Sequence, residues 1–167
     1  MPPALIVLVD DPDETDPSLL ATLDLARRVG GVGRVLLFHP AESESKLTSR
    51  SLGYRLWPQN GTSPGQRYAN AFRQASELGY EGCAVITTAA ADDVGAERIS
   101  EAVSHLQEHH GAIVPDGRGG IAVLVLQEPQ PTLFTGDNPP TYDELVTRAA
   151  QQRVRLVELP AEEAVRR

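Results

Sequence analysis

The sequence predicts an α/β fold in which a mainly parallel sheet is covered by helices on both faces. Short apolar runs of strand length alternate with amphipathic segments of helix length along the whole chain. Such repeated β–α units imply parallel strands joined by crossover helices. Several of the runs are apolar without interruption, which is the pattern of strands buried on both faces.

The first third of the chain contains two predicted strands with one helix between them. Ala4–Val9 is an uninterrupted apolar run and predicts the first strand. Asp16 is a good N-cap residue for the following helix, and Pro17 suits the first helical turn. Arg34–His39 predicts the second strand, which Pro40 ends. The helix between them presents one apolar face, formed by Leu19, Leu20, Leu23 and Ala26.

The middle of the chain begins with a polar segment, 41–53, for which only a short helix is expected. Tyr54–Trp57 predicts a short third strand, and 58–65 is a loop rich in turn-forming residues. Residues 64–80 then predict a second long helix. Its buried face is expected to consist of Tyr68, Ala71, Phe72 and Ala75.

The remaining elements continue the alternation of strands and helices. Cys83–Thr87 predicts a central strand, in which the cysteine is a small buried hydrophobe, and a helix follows over 92–111. Two strands, 111–116 and 121–127, are joined by a glycine-rich reversal, which predicts a hairpin or a crossing at the sheet edge. We expect a further helix, a last strand and a final helical turn over 141–153, 154–160 and 161–167.

Composition predicts a single domain over residues 1–167 and excludes several classes of function. The hydrophobic content of 41% supports a full core. A net charge of −8 excludes the basic surface that nucleic acids require. The apolar runs are far shorter than the roughly 18 residues of a spanning helix, so no membrane insertion is expected. Cys83 is the only cysteine and no signal segment is apparent, so we expect a cytoplasmic location.

Three motifs lie next to the predicted strands, where open α/β sheets bind their ligands. Gln59 and the loop "NGTSPG" lead into Gly65 and Arg67 at the start of a helix. The central strand continues into Thr88 and three alanines. The later segment "PDGRGG" contains Arg118 between glycines.

In this order the motifs, with the later "LF" pair, resemble a bacterial glycosyltransferase-like family of the nucleotide-diphospho-sugar transferase superfamily. That family is related to the molybdenum-cofactor guanylyltransferases. The resemblance covers about the last two thirds of the chain. It implies a three-layer, Rossmann-like GT-A fold and a nucleotide or nucleotide sugar as ligand. The residues it implies for binding the nucleotide or another small anion are Gln59, Gly65, Arg67, Thr88 and Arg118.

Three positions depart from the family pattern, and each departure weakens metal or phosphate binding. Ala89 stands where the family has the aspartate that helps to hold a divalent cation. Arg118 replaces an aspartate before the Gly-Gly pair. The first loop, 10–18, carries acids where the family has phosphate-binding cations. Since hard cations need oxygen ligands, the sequence predicts an eroded site.

The leading hypothesis is therefore a transferase-like protein with impaired catalysis that binds a small anion, a nucleotide or another protein. No cofactor is expected in that case. The alternative is an active glycosyl- or nucleotidyltransferase with rearranged ligands, in which Asp92 or Asp116 holds Mg²⁺ or Mn²⁺, or arginines replace the metal. A protein partner or a homodimer stays open. Whether the protein is an enzyme is left undecided by the sequence.

Each candidate side chain also has a purely structural interpretation. Asp92 or Asp93 could cap the following helix instead of holding a metal. Arg118 is either a phosphate clamp or a surface arginine on a flexible turn. Arg67 either lines the nucleotide pocket or pairs with an acid on the helix surface. The acidic loop 10–16 is either a cation site or a solvated loop that caps the first helix.

Overall fold

The computed structural model of the protein describes residues 2–13 and 15–161. Over this part of the chain the predicted order of strands and helices is confirmed. The helical turn expected over 161–167 lies, apart from Ala161, outside the described residues. The strands are β1 (Ala4–Asp10), β2 (Gly33–His39), β3 (Arg55–Pro58), β4 (Cys83–Thr87), β5 (Gly111–Pro115), β6 (Ile121–Leu126) and β7 (Leu156–Glu158). The α-helices are α1 (Pro17–Arg27), α2 (Pro64–Glu77), α3 (Ala96–Ser104) and α4 (Tyr142–Gln151).

These strands form one sheet in the order β3-β2-β1-β4-β6-β5-β7. Within the described chain β6 alone runs against its neighbours, pairing antiparallel with both β4 and β5. The other neighbouring pairs are parallel, so the predicted mainly parallel sheet is confirmed. The β5–β6 hairpin is also confirmed, but its expected place at the sheet edge is wrong. Helix α4 returns the chain to the far side of β5, where β7 pairs with it and forms the edge.

Two apolar cores lie on opposite faces of the sheet. Alternate residues of each central strand point to opposite faces. Leu5 and Val7 therefore pack in the core beneath α1 and α3, whereas Ala4 and Ile6 pack in the core beneath α2 and α4. The predicted three-layer arrangement is confirmed, and so is the buried face predicted for α2.

Side-chain caps define where three of the helices begin. The carboxylate of Asp16 accepts the N–H of Ser18 at 2.9 Å, which confirms the predicted cap of α1. Ser63 caps α2, and Thr141 with Glu144 forms a reciprocal capping box on α4. Within the described residues no helix has the length and apolar character that crossing a membrane requires.

Helix α3 differs from the expectation in its starting point. It begins at Ala96 and is preceded by Gly95, so the prediction that Asp92 or Asp93 caps it is wrong. The residues after β4 instead form a short 3-10 helix, Ala90–Asp92. This turn places the two aspartates before α3 and leaves their carboxylates available for contacts with other loops.

Candidate functional site

The carboxyl ends of six parallel strands meet at one edge of the sheet, and β6 begins there. Ligands of open α/β sheets bind at such an edge. A pocket of about 490 Å³ opens there between the end of β4, the β5–β6 turn and the segment before α4. Its walls combine hydroxyl, carboxylate, guanidinium and apolar groups. Among the lining residues are Tyr68, Thr87, Asp116, Arg118, Ile121 and Pro140.

Asp116 shapes the β5–β6 turn. Its Oδ1 accepts the backbone N–H of Arg118 at 2.7 Å and that of Gly120 at 3.0 Å. A Cβ on residue 120 would lie 2.5 Å from Asp116 Oδ2, so a larger residue there would force the Asp116 side chain to shift. Gly117 has a φ of 82°, which also favours glycine. The "DGRGG" motif is therefore an ordered turn organised by its own aspartate.

Arg118 reaches from this turn to the loop that follows β4. Its two terminal nitrogens donate to the two carboxylate oxygens of Asp93 at 2.7 and 3.0 Å. The Asp93 side chain is only 4% exposed, whereas that of Arg118 is 58% exposed. Asp116 Oδ2 lies 3.7 Å from the same guanidinium. Hydrogen bonding to Asp93, together with the nearby carboxylates, raises the pKa of Arg118 above its ordinary value.

Thr22 of α1 forms two hydrogen bonds to the loop that follows β4. Its hydroxyl is completely buried, donates to the carbonyl of Thr88 at 2.7 Å and accepts the N–H of Ala91 at 3.2 Å. The sequence interpretation missed this residue. The signal was present, because Thr22 falls at helical spacing within the apolar stripe of α1. A hydroxyl in such a stripe needs a hydrogen-bond partner once it is buried.

A second charged pair lies at the end of β1. Asp10 Oδ2 is 3.8 Å from a terminal nitrogen of Arg67, whose side chain is 10% exposed. Arg67 Nε is buried and has no hydrogen-bond partner among the described residues. The interpretation of Arg67 as a surface residue is therefore wrong, although its pairing with an acid is confirmed. The Arg67 side chain is therefore buried at the end of β1, next to Asp10.

Gln59 and Gly65 both have structural contacts at this end of the molecule. Gln59 Nε2 donates to the carbonyls of Val9 and Leu37, each at 2.9 Å, and so joins the ends of β1 and β2. A Cβ on residue 65 would lie 2.6 Å from the carbonyl oxygen of Asn138, so only glycine allows this close approach. Ligand binding by Gln59 and Gly65 stays a prediction.

The first acidic loop forms local hydrogen bonds. Asp13 Oδ1 accepts both the N–H and the hydroxyl of Thr15, and these bonds lower the pKa of Asp13. Together with the Asp16 cap, this favours the interpretation of a helix-capping loop. Glu14 lies outside the described residues.

Two of the acids at the carboxyl edge already have partners within the chain. Asp93 is engaged by Arg118, and Asp116 holds its turn and faces the same guanidinium. Asp92 is exposed on the 3-10 helix. Across residues 2–13 and 15–161, no three His, Cys, Asp or Glu side chains converge as a metal-binding group. Metal binding by Asp92 and Asp116 stays a prediction.

Comparison with solved structures confirms the fold. A protein from Desulfovibrio desulfuricans G20, provisionally described as a nucleotide-diphospho-sugar transferase, superposes with a TM-score of 0.78 at 19% identity, covering 96% of this chain and 80% of that one. A cytidylyltransferase from Leptospira borgpetersenii serovar Hardjo-bovis (strain JB197) gives 0.64 at 10% identity, covering 97% and 77%. A 4-diphosphocytidyl-2C-methyl-D-erythritol synthase gives 0.64 at 14% identity, covering 97% and 90%.

These superpositions show a shared architecture, so the predicted likeness to nucleotide-diphospho-sugar transferases is confirmed at the level of fold. A search among curated proteins returns no significant match. A family model described as "uncharacterized protein conserved in bacteria (DUF2064)" matches residues 22–138, which are 117 of the 167 residues. The matched part contains β2–β6, the helix α2 with Arg67, and the loops that carry Asp93 and Arg118. The chain therefore belongs to this bacterial family, DUF2064.

Proposed function

We propose that this protein is a catalytically impaired, transferase-like module that binds a nucleotide or a related small molecule at the carboxyl edge of its sheet. The fold it shares with nucleotide-diphospho-sugar transferases and cytidylyltransferases supports a ligand of this class. The pocket of about 490 Å³ at that edge has the size of an ordinary small-molecule site.

The proposed loss of catalysis rests on one observation. The buried Asp93 carboxylate is neutralised from within the chain by Arg118, through two hydrogen bonds of 2.7 and 3.0 Å. Asp116 faces the same guanidinium at 3.7 Å. Metal-assisted transfer from a nucleotide donor requires oxygen ligands that a divalent cation can share with the donor phosphates. Asp93 and Asp116 both already have partners within the chain.

Charge around the pocket also disfavours a diphosphate. Arg118 is surrounded by Asp92, Asp93 and Asp116, which all influence its pKa, so this cluster has one positive and three negative charges. Each like-charge contact at about 4 Å costs roughly 1–4 kcal/mol at effective dielectric constants of 80 to 20. We therefore expect the uncharged base and sugar to contribute more to binding than the phosphates.

Calorimetric titration tests the proposal. A nucleoside, its mono- and diphosphates and its diphospho-sugars would be titrated with Mg²⁺ and, separately, with EDTA. Alongside, release of pyrophosphate or nucleoside diphosphate would be assayed against the same donors. We expect binding that is unchanged by EDTA, weakens as phosphates are added and yields no product. Product release, or micromolar binding that requires Mg²⁺, would contradict the proposal.

A pocket-filling variant locates the binding. Thr87 is exposed at the end of β4 and lines the pocket, so Thr87→Phe should abolish ligand binding. Ser100 is also exposed, but it lines a different pocket, so Ser100→Phe is the matched control and should bind normally.

The alternative, an active transferase with rearranged ligands, is favoured by one observation. Asp92 is exposed and helps to raise the pKa of Arg118, which lines the pocket. If donor turnover is found, Asp92→Ala should abolish it where Asp92 holds Mg²⁺ or Mn²⁺. The same variant should remain active where Arg67 and Arg118 replace the metal.

A protein partner or a homodimer is the remaining proposal. Leu52 is 85% exposed and Trp57 is 43% exposed, and Trp57 lies in β3, the edge strand of the described sheet. Light scattering across a tenfold concentration range tests self-association. A dimer that Trp57→Arg dissociates would support an interface at this edge, and a concentration-independent monomer would contradict a homodimer.

A further inference from the structure

We propose that the guanidinium of Arg118 is a built-in cation that takes the place of a divalent metal at the carboxyl edge and keeps metal ions out of it. This inference rests on the proposed binding function of the same edge. It adds that no metal ion accompanies the ligand there, because the guanidinium already occupies the carboxylates that a metal would need.

The Asp93 carboxylate is buried at the carboxyl edge of the sheet. Its side chain is 4% exposed, and an ionised carboxylate in such a place needs a cation or several hydrogen-bond donors. Arg118 supplies both, since its two terminal nitrogens donate to the two carboxylate oxygens. This fork-to-fork geometry is the strongest form of an arginine–carboxylate pair.

Arg118 lies between two acids that belong to different loops. Asp93 follows the 3-10 helix after β4, while Asp116 begins the β5–β6 turn. Asp116 Oδ2 lies 3.7 Å from the guanidinium, and Asp116 Oδ1 is engaged by two backbone N–H groups. A divalent cation between these loops would have to displace Arg118 from both carboxylates and would be repelled by it.

Both loops are also held by hydrogen bonds that do not involve Arg118. Thr22 holds the loop after β4 through Thr88 and Ala91. The carbonyl of Gly119 accepts the N–H of Tyr142 at 3.0 Å, which ties the β5–β6 turn to the start of α4. The acids therefore stay in place when the arginine is changed, so removing Arg118 should expose a cation site.

The test uses Mn²⁺ alone as the probe, with no nucleotide present. Free Mn²⁺ would be followed by electron paramagnetic resonance while wild-type protein, Arg118→Asp and Arg118→Ala are titrated. We expect no binding by the wild type at millimolar Mn²⁺. We expect one Mn²⁺ bound at least tenfold more tightly by Arg118→Asp and a smaller gain in Arg118→Ala. Adding Asp93→Asn to Arg118→Asp should remove the gain.

Arg73 provides a matched control. Its side chain is 58% exposed, the same fraction as that of Arg118, and its partner is Glu77 on the outer surface of α2. Arg73→Asp makes the same change in net charge and should bind no Mn²⁺. If Arg73→Asp gains as much as Arg118→Asp, the effect is one of overall charge and the inference is overturned.

Two further results would overturn the inference. One is wild-type protein that binds Mn²⁺ as tightly as Arg118→Asp. The other is Arg118→Asp that keeps the wild-type circular dichroism spectrum and yet binds none. If Arg118→Asp does not fold, the same criteria apply to Arg118→Ala, for which binding equal to the wild type overturns the inference. Because no nucleotide is used, these outcomes are separate from failure of the proposed ligand binding.

Discussion

Replacing Thr22 by valine should destabilise the protein and loosen the loop that carries Asp93. Valine has nearly the same shape as threonine, so the packing of α1 is kept while the hydroxyl is lost. The change removes the donor to the carbonyl of Thr88, at 2.7 Å, and the acceptor of the N–H of Ala91, at 3.2 Å.

The expected loss of stability follows from the carbonyl of Thr88 and the N–H of Ala91, which both lose their hydrogen-bond partner. A buried polar group that loses its partner costs about 1–3 kcal/mol. Thr88 and Ala91 are only partly buried, so some rehydration of the two groups is expected and the total should be about 2–4 kcal/mol. Thr22→Ser keeps the hydroxyl and loses one methyl group, which costs roughly 1 kcal/mol. The valine variant should therefore be the less stable of the two.

Urea denaturation followed by circular dichroism measures both variants. A shift of the midpoint without a change in slope reports a change in the free energy of unfolding. If Thr22→Val proves as stable as Thr22→Ser, or loses less than about 1 kcal/mol, the hydroxyl does not hold the loop. Thr22 would then not be what positions Asp93 either.

Three other outcomes are expected. Gly65→Ala would place a Cβ 2.6 Å from the carbonyl oxygen of Asn138, and this overpacking should lower the free energy of unfolding, measured in urea, by about 1–3 kcal/mol. Gly30→Ala is the control: its Cβ meets no atom within 4 Å, so its stability should be unchanged. Burial raises the pKa of Tyr54 to about 12. The stability that the protonated phenol contributes is therefore intact below pH 10 and is lost as the pH rises towards 12. A Tyr54→Phe variant that loses stability just as steeply over this range would refute the raised pKa of Tyr54. Burial also raises the pKa of the Cys83 thiol, so a thiol reagent should label it only after unfolding, and rapid labelling of the native protein would contradict its buried placement.

Local patterns explain what could be predicted from the sequence. The uninterrupted apolar run of β1 and the Asp16-Pro17 start of α1 depend on near neighbours, so they predict burial and helix caps without knowledge of the fold. The prediction failed where two local explanations competed. Asp92 and Asp93 both looked like caps, but the short 3-10 helix after β4 moved the start of α3 to Ala96.

The sequence by itself determined the α/β class, the order of its elements and the central mainly parallel sheet, because each depends on residue type and spacing. Only the tertiary structure decided how the charges are used. Arg118 and Asp93 are 25 residues apart, and Thr22 and Thr88 are 66 apart. Contacts over such separations arise where strands end at one edge of the sheet, and the positions of those ends are set by sheet order, which no local pattern encodes.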